Sequence, residues 1–193
     1  MSTDGRGARS RVLRIIGGTW RGRRLRFPAQ PGIRPTPDRV RETLFNWLGT
    51  RVPGSRCLDL FAGSGALGLE ALSRGAAQVT FVENDAVAVR ELRACLAEWR
   101  ASGALVEQAD ALRFLTGSSH PFDLVFLDPP FASTLIEESS RLLEERHWLA
   151  AHALVYVETD AGAGLPPMPP SWQLTRAKQA GAVGYHLLTR AVE

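Results

Sequence analysis

The chain of 193 residues contains only two cysteines and one lysine, and it has no apolar run near the roughly 18 residues that a membrane-spanning helix needs. Cys57 and Cys95 form no Cys-x-x-Cys pair and are too few for a disulfide framework, which is typical of a protein in the reducing cytoplasm. The histidines have none of the spacings that metal sites use; they are His120, His147, His152 and His186. These absences exclude an integral membrane protein and a disulfide-stabilised secreted protein, and we expect no metal site.

Positive charge is concentrated at one end of the chain, although the net charge is only +3. Residues 1–56 contain 13 arginines and three acidic residues, a net charge of +10, whereas residues 57–193 carry a net charge of −7. A compositional preference explains why lysine is rare, but it does not place 13 of the 22 arginines in the first 56 positions. This clustering indicates that the N-terminal part of the chain contacts a polyanion such as a nucleic acid.

Short basic strands follow an N-terminal arm. Residues 1–10 are rich in arginine and lack the apolar segment of a secretory signal, so we expect a flexible basic arm. Residues 12–16 and 23–27 are strand-like runs whose connection is rich in glycine, which predicts a hairpin. Residues 11–52, which also include the helix described next, are expected to form a unit that docks on nucleic acid.

An amphipathic helix follows a connector that is rich in proline and glycine. Thr36 and Pro37 predict its N-cap and its first helical position, because a threonine hydroxyl can accept a backbone N–H and proline has a fixed φ. Apolar residues then recur at helical spacing, at positions 40, 44, 47 and 48. Arg39 and Arg41 lie off this apolar stripe, so we expect both side chains to face solvent and to contact phosphates.

Strand-like and helix-like segments alternate from residue 53 onward. Strands are predicted at residues 57–61, 78–82, 104–107, 122–127 and 153–157, with helices near 67–72, 87–99 and 135–146. Two further strands, at 172–177 and 185–190, are expected to close the sheet as an antiparallel pair. Alternation of this kind predicts an α/β fold with a doubly wound, seven-stranded, mainly parallel sheet, and we assign residues 53–193 to this domain.

A glycine-rich loop follows the first strand of this domain. Gly63, Gly65 and Gly68 fit the pattern G-x-G-x-x-G, which binds either a dinucleotide or S-adenosylmethionine. Glu83 ends the next strand 20 residues after Gly63, where a carboxylate can bind ribose hydroxyls. Asp59 precedes Gly63 by four residues; an acid there can receive the ammonium of a methionine moiety but disfavours a pyrophosphate at the helix N-terminus. The loop therefore favours S-adenosylmethionine.

A tetrapeptide at the end of a later strand carries the candidate chemistry. The apolar strand 122–127 ends in Asp128-Pro129-Pro130-Phe131, and the carboxyl ends of parallel strands form the ligand crevice of a doubly wound sheet. The prolines stiffen the turn and lack N–H groups. Asp128 and the Pro129 carbonyl can therefore accept both hydrogens of an exocyclic amine, and Phe131 can stack on a nucleobase. The pattern predicts methyl transfer to the amino group of a base, accelerated by positioning.

Several stretches resemble the RsmD family of 16S rRNA guanine-N2 methyltransferases, which are class I S-adenosylmethionine-dependent enzymes with a Rossmann-like fold. They are residues 14–18, 20–22, 34–36, 38–48, 59–74, 128–131 and 185–188. The resemblance covers essentially the whole chain from about residue 12. The glycine loop and the Asp-Pro-Pro-Phe motif occur in many methyltransferases, whereas their combination with the arginine-rich helix is far more specific to this family.

The resemblance implies a substrate that the motifs alone do not identify. Family members methylate the exocyclic N2 of guanine 966, in the numbering of 16S rRNA, on the assembled 30S subunit or its assembly intermediate. The implied partners are therefore 16S rRNA and ribosomal proteins near the target, with S-adenosylmethionine as the cofactor and no membrane. The implied location is the cytoplasm.

The motifs and the resemblance together define three groups of candidate residues. The expected catalytic residues are Asp128, Pro129, Pro130 and Phe131. The expected cofactor-binding residues are Asp59, Phe61, Gly63, Ser64, Gly65, Glu83, Asn84, Asp110 and Ala111. Within this second group, the resemblance implies that Asp110 and Ala111 flank the adenine. The expected RNA-binding residues are Arg14, Arg21, Arg23, Arg24, Arg34, Arg39 and Arg41.

Three alternatives to this function remain open. An adenine-N6 methyltransferase of nucleic acids uses the same amine chemistry, although the chain lacks room for a target-recognition domain. A non-catalytic rRNA-binding assembly factor would not need Asp59, Glu83 and Asp128. A dinucleotide oxidoreductase is disfavoured by the basic N-terminal part and by the Asp-Pro-Pro-Phe motif.

Overall fold

The computed structural model describes residues 10–28, 36–130 and 134–191. Residues 1–9 of the predicted basic arm, as well as Arg34 and Phe131, lie outside the described residues. The predicted N-terminal hairpin is present as a two-stranded antiparallel sheet of β1 (Ser10–Arg14) and β2 (Arg24–Pro28). Its strands are displaced by up to two residues from the predicted ones.

The main sheet has seven strands, as the sequence predicts. They are β3 (Arg56–Asp59), β4 (Gln78–Glu83), β5 (Ala104–Gln108), β6 (Phe122–Leu127), β7 (Leu149–Asp160), β8 (Trp172–Ala180) and β9 (Val183–Arg190). Their order across the sheet is β5-β4-β3-β6-β7-β9-β8. The strands from β5 to β7 are parallel, and β9 runs antiparallel to both of its neighbours. The predicted doubly wound, mainly parallel sheet is thereby confirmed.

Helices cover both faces of this sheet because its strands carry apolar side chains on both faces. The helices are α1 (Asp38–Leu48), α2 (Ala66–Ser73), α3 (Ala86–Glu98), α4 (Ala111–Leu115) and α5 (Leu135–Glu145). Residues of α1, α2 and α3 share one apolar core with the sheet, and residues of α4 and α5 share the other. We did not predict α4, since five residues are too few to show helical periodicity. Among the described residues, no helix is long and apolar enough to cross a bilayer.

The start of α1 differs from the prediction by one residue. Pro37, not Thr36, occupies the N-cap position, with φ −56° and ψ 146°. The Pro37 carbonyl accepts the N–H groups of Val40 and Arg41, at 2.9 and 3.1 Å. The Thr36 hydroxyl therefore does not cap the helix; it donates to Asp128 instead.

Glu70 of α2 holds the hairpin connection against the main domain. This side chain is fully buried, and its carboxylate accepts the backbone N–H groups of Ile16 and Gly17 at 2.9 and 2.8 Å. It also pairs with Arg41 at 3.3 Å and with Arg74 at 2.8 Å. One carboxylate thus joins the hairpin connection, α1 and α2.

Arg41 is not available to RNA, so its predicted role as a phosphate contact is wrong. Its side chain is 0% exposed, and the guanidinium pairs with Glu70 and Asp38. The same group donates to the carbonyl oxygens of Thr36 and Arg14, at 3.2 and 2.8 Å. The helical pattern predicts a solvent-facing arginine because it cannot detect a buried acid from another helix.

Gly18 permits the close approach of the hairpin connection to α2. It has φ +76°, and a Cβ atom at this position would lie 1.8 Å from the carbonyl oxygen of Ser73. The neighbouring Thr19 donates its N–H to the same oxygen at 2.7 Å. A side chain at position 18 would therefore separate the two segments.

The buried ion pair yields a stability prediction. Replacing Arg41 by methionine removes one of the two cations that pair with the buried Glu70 and leaves only Arg74, so we expect the free energy of unfolding to fall by about 3 kcal/mol. Arg39→Met on the exposed side of α1 is the matched control, with an expected change below about 0.5 kcal/mol. Urea denaturation followed by tryptophan fluorescence measures both values, and equal stabilities of the two variants would contradict the prediction.

Candidate active site

Acidic side chains gather at the carboxyl ends of the parallel strands. The central strand β3 lies between β4 and β6, which is the point where the strand order reverses and where doubly wound sheets bind ligands. Asp59 is in register with Phe81 of β4 and Phe126 of β6, and Phe126 is in register with Tyr156 of β7. Because side chains alternate along a strand, residues two positions further lie on the same face of the sheet. The acidic residues brought to this edge are Asp59, Glu83, Asp128 and Glu158.

The glycine loop forms the turn from β3 to α2, as predicted. Gly65 stands at the N-cap position of α2 with φ +76°, a conformation that favours glycine. Since Gly65 has no side chain to cap the helix, the Asp59 carboxylate accepts the N–H of Gly68 at 2.9 Å. An acid therefore occupies the helix N-terminus where a dinucleotide would place its pyrophosphate.

Asp59 carries its carboxyl group in an apolar environment. The side chain is 2% exposed, and burial raises the pKa of Asp59 to about 7, with further increases from Glu83 and Glu158. The Gly68 N–H acts in the opposite direction. Among the described residues, Asp59 has no ion-pair partner. A bound cation would compensate this acid.

Glu83 ties the glycine loop to the end of β4. Its Oε2 accepts the N–H of Gly63 at 2.7 Å, and its Oε1 accepts the N–H groups of Asn84 and Asp85, both at 2.8 Å. A carboxylate has about four lone-pair sites, so Glu83 keeps about one site for a ribose hydroxyl. The predicted residues Gly63, Glu83 and Asn84 are thus brought together at one turn.

The other predicted cofactor residues border the same edge. Ser64 is buried within the loop, and the half-buried Phe61 packs against the core on the far face of the sheet. Asp110 follows β5 and caps α4, accepting the N–H of Arg113 at 2.9 Å. Ala111 is buried in the same core. The adenine contacts assigned to Asp110 and Ala111 stay predictions.

Asp128 follows β6 and is hydrogen-bonded to the segment that precedes α1. The Thr36 hydroxyl donates to Asp128 Oδ2 at 3.3 Å. Burial, together with the charges of Glu158 and Asp59, raises the pKa of Asp128 well above its ordinary value. Pro129 is buried and Pro130 is exposed. The predicted stacking residue Phe131 lies outside the described residues.

Glu158 and Tyr156 of β7 also lie at this edge, although neither was a predicted site residue. Glu158 is 2% exposed, and the Tyr156 hydroxyl donates to Glu158 Oε1 at 2.9 Å. Burial raises the pKa of Glu158 to about 7, while hydrogen bonds from Thr36 and Tyr156 lower it. The available signal was an acid one residue beyond the predicted strand 153–157, since extension of that strand places Glu158 and Tyr156 on one face.

Arg14, Arg24 and Arg26 lie on the outer face of the hairpin. The register pairs Arg14 with Arg24 and Val12 with Arg26, so these four side chains share one face of the hairpin. Leu13 and Leu25, which are also paired, lie on the other face. All three of these arginines are exposed, as are the predicted contacts Arg21, Arg23 and Arg39. Arg26 was not among the predicted RNA contacts, but its register position adds it to this surface.

A pair of aromatic rings supports this basic hairpin. Trp20 packs against Trp99 at the end of α3, with 5.3 Å between the ring centroids. The Arg23 guanidinium carbon lies 5.6 Å from the Trp99 ring centroid, a cation–π distance. Positive charge is therefore exposed on the hairpin, whereas negative charge is buried at the strand ends.

The chain closely resembles known methyltransferases along almost its full length. Residues 13–189 match the model of a family described as Conserved hypothetical protein 95. The chain is 51% identical over 181 residues to Ribosomal RNA small subunit methyltransferase D of Escherichia coli (strain K12), which covers 94% of this chain and 91% of that protein. The chain belongs to the RsmD family. The family resemblance of the sequence motifs is thereby confirmed.

Solved structures agree with this membership. The structure of "Putative methyltransferase yhhF" from Escherichia coli has a TM-score of 0.89 and 49% identity, and the match covers 95% of this chain and all of that one. An RNA methyltransferase from Salinibacter ruber in complex with S-adenosyl-L-homocysteine has a TM-score of 0.62 at 20% identity, covering 83% and 95% of the two chains. This second likeness shows the methyltransferase fold alone.

The buried acid of the glycine loop makes stability depend on pH. Because the folded state raises the pKa of Asp59 from 3.8 to about 7, the folded protein binds more protons than the unfolded chain within that interval. Asp59 therefore contributes stability at low pH that is lost as the pH rises through about 7. We expect the free energy of unfolding to fall less between pH values of about 5 and 8 in Asp59→Asn than in the wild type.

Urea titrations at several pH values measure this difference. Asp160→Asn, at the exposed end of β7, is the matched control and should keep the wild-type dependence. If the free energy of unfolding of Asp59→Asn changed with pH as it does in the wild type, the contribution of this buried acid would be refuted.

Proposed function

We propose that this protein transfers a methyl group from S-adenosylmethionine to the exocyclic N2 amine of guanine 966 in 16S rRNA. The observation that carries the proposal is the placement of Asp128 beside the Asp59 loop, at the reversal point of the sheet. Membership of the RsmD family supports an rRNA substrate, since its curated relatives are named as methyltransferases of small-subunit rRNA. We assign residues 53–193 to the methyltransferase domain and residues 11–52 to RNA docking.

The crevice fits a cationic cofactor. Asp59 is a buried acid without an ion-pair partner among the described residues, and the ammonium of a methionine moiety would supply one. Glu83 accepts three backbone N–H groups at the loop and keeps about one acceptor site for a ribose hydroxyl. When bound, S-adenosylmethionine supplies a methyl group from its sulfonium, and the rest of the cofactor leaves as a neutral thioether. The Salinibacter ruber structure of this fold holds the corresponding product, S-adenosyl-L-homocysteine.

Asp128 prepares the amine for attack. The lone pair of guanine N2 is delocalised into the ring, so the free amine is a poor nucleophile. Asp128 and the Pro129 carbonyl would accept its two hydrogens and draw the nitrogen toward tetrahedral geometry, with its lone pair aimed at the methyl carbon. Thr36 fixes the carboxylate from the other side through its hydroxyl at 3.3 Å. We assign stacking of the base to Phe131.

Methylation of purified 30S subunits tests this function. We expect the wild-type protein to methylate subunits from a strain that lacks the gene, with the modification at guanine 966 by primer extension. Nucleoside mass spectrometry should give N2-methylguanosine. A product of N6-methyladenosine, or modification at another nucleotide, would replace the proposed target, and absence of transfer would remove the proposed function.

Asp128→Ala connects this activity to the site. Loss of the amine acceptor should lower the rate of methyl transfer by about 100-fold or more, whereas the dissociation constant of S-adenosylhomocysteine should change little by calorimetry. Asp123→Ala, on the same strand but at its opposite end, is the matched control. Wild-type turnover in Asp128→Ala would refute the assigned mechanism.

The exposed arginines of the hairpin form the proposed RNA surface. Arg14, Arg24 and Arg26 share the outer face of the hairpin, and Arg21 and Arg39 are exposed near it. Phosphate contacts by arginine release counterions from RNA, so binding should weaken steeply with salt. The burial of Arg41 removes one member of the predicted set, and Arg34 lies outside the described residues.

Charge removal on this surface gives a salt-dependence prediction. Combined replacement of Arg21, Arg24 and Arg26 by glutamine should weaken binding to 16S rRNA and reduce the slope of log K against log salt by about 2. The control replaces three exposed arginines on α4 and α5, which cover the opposite face; they are Arg113, Arg141 and Arg146. Filter binding over a salt series measures both slopes, and equal slopes would exclude the hairpin as the phosphate contact.

A further inference from the structure

Asp128 and Glu158 form a pair of neighbouring carboxylates that the family motifs do not describe. Leu127 of β6 is in register with Val157 of β7, so the next residues along both strands are Asp128 and Glu158. The buried Thr36 lies beside both acids: its hydroxyl donates to Asp128 Oδ2 at 3.3 Å, and it is close enough to Glu158 to lower the pKa of that carboxyl. The Tyr156 hydroxyl holds the far side of Glu158 at 2.9 Å.

Within the described part of the chain, the groups around this pair are acidic or neutral. Asp59 of β3 adds a negative charge, and Tyr185 of β9 is in register with Glu158. Arg41 of α1 donates to the Thr36 carbonyl oxygen and pairs with Glu70 and Asp38, so its charge is directed away from the pair. Two adjacent carboxylates, one buried and one half-buried, that have no cationic partner among the described residues favour the binding of one shared proton.

Methylation of an amine releases a proton, and the site needs an acceptor for it. We propose that Glu158 accepts this proton from Asp128 through the Thr36 hydroxyl, which makes Glu158 and Thr36 positioning residues of the methyl transfer. The inference rests on the proposed function, because it concerns the amine that Asp128 binds. Tyr156 orients the acceptor and stays protonated, since burial and Glu158 raise the pKa of its hydroxyl well above the ordinary value.

The proton path balances in three steps. The N2 lone pair forms the N–C bond while the C–S bond breaks and its electron pair stays on sulfur, which leaves a positive charge on the methylated amine. The Asp128 carboxylate then takes one proton from this nitrogen, and the product amine is neutral. Finally the Thr36 oxygen accepts the Asp128 proton while the Thr36 hydroxyl proton passes to Glu158, so Asp128 is again a carboxylate.

Glu158→Gln tests the acceptor without changing its size. Loss of its negative charge should lower the pKa of Asp128, so the acid limb of the rate profile should move to lower pH by about one unit. Loss of the acceptor should also lower the plateau of the steady-state rate about tenfold, because Asp128 keeps the proton of the preceding turnover. Steady-state methylation of 30S subunits over a pH series measures both, and rapid-quench single turnovers, in which Asp128 starts as a carboxylate, should keep the wild-type plateau. Asp160→Asn removes a charge from the exposed end of the same strand and should leave the limb and the plateau in place.

Thr36→Val tests the bridge independently of the charge. This substitution removes the hydroxyl but keeps the branched shape of the side chain. The plateau rate should fall because the bridge is lost. The acid limb of the pH–rate profile should move to higher pH, opposite to Glu158→Gln, because Asp128 loses the hydrogen bond that favours its carboxylate. Thr36→Ser restores the hydroxyl and should reverse both changes. Carbon-13 NMR can titrate the Asp128 side-chain carboxyl in the protein without cofactor, so this measurement does not require activity. The pKa of Asp128 should be lower than in the wild type in Glu158→Gln and higher in Thr36→Val.

The outcomes separate this inference from the proposed function. The proton path is supported if the acid limb moves in opposite directions in Glu158→Gln and Thr36→Val and the plateau rate falls in both. If Glu158→Gln does not fold, the Thr36 variants alone decide the outcome. The inference is overturned if the wild type methylates RNA but the variants keep either the acid limb or the plateau of the wild-type pH–rate profile. The proposed function would then remain intact. A wild type that transfers no methyl group to RNA overturns both.

Discussion

The buried ion pair between Arg41 and Glu70 connects every functional part of this molecule. Glu70 lies on the helix that opens after the glycine loop, and it holds the backbone of the hairpin connection at Ile16 and Gly17. Arg41 in turn donates to the carbonyl oxygen of Thr36, and the side-chain hydroxyl of Thr36 donates to Asp128. Breaking the pair would remove one of the two cations that hold the buried Glu70, so the pair helps to keep the RNA-docking part and the catalytic edge in one arrangement.

This arrangement separates two electrostatic environments. Arginines on the outer face of the hairpin are exposed to water, where they can exchange counterions for RNA phosphates. Among the acids at the carboxyl ends of the strands, Asp59 and Glu158 are buried and Asp128 is half-buried. Loss of solvation raises the pKa values of all three, and neighbouring negative charges raise those of Asp59 and Asp128 further. The first environment suits a polyanion and the second suits a cationic cofactor and a proton-releasing amine.

Much of the fold and part of the site could be predicted from local sequence. The seven strands and most helices were predicted because each has its own periodicity, and the boundaries shifted by only a few residues in most cases. Asp59, Glu83 and Asp128 could be predicted as candidate site residues because each lies in or directly after a strand whose carboxyl end borders the ligand crevice. The helix α4 was missed because it is shorter than the window that reveals a period.

The remaining site residues depend on partners that are distant in the chain. Arg41 has the position of an exposed arginine on its own helix, yet it is buried against an acid 29 residues away. Thr36 has the sequence signature of a helix cap, yet its hydroxyl serves Asp128, 92 residues away. The sequence by itself determined the elements, the glycine loop and the Asp-Pro-Pro motif, since these depend on local spacing and side-chain chemistry. Only the tertiary structure decided which charges are buried and paired, because strand register and helix packing bring those groups together.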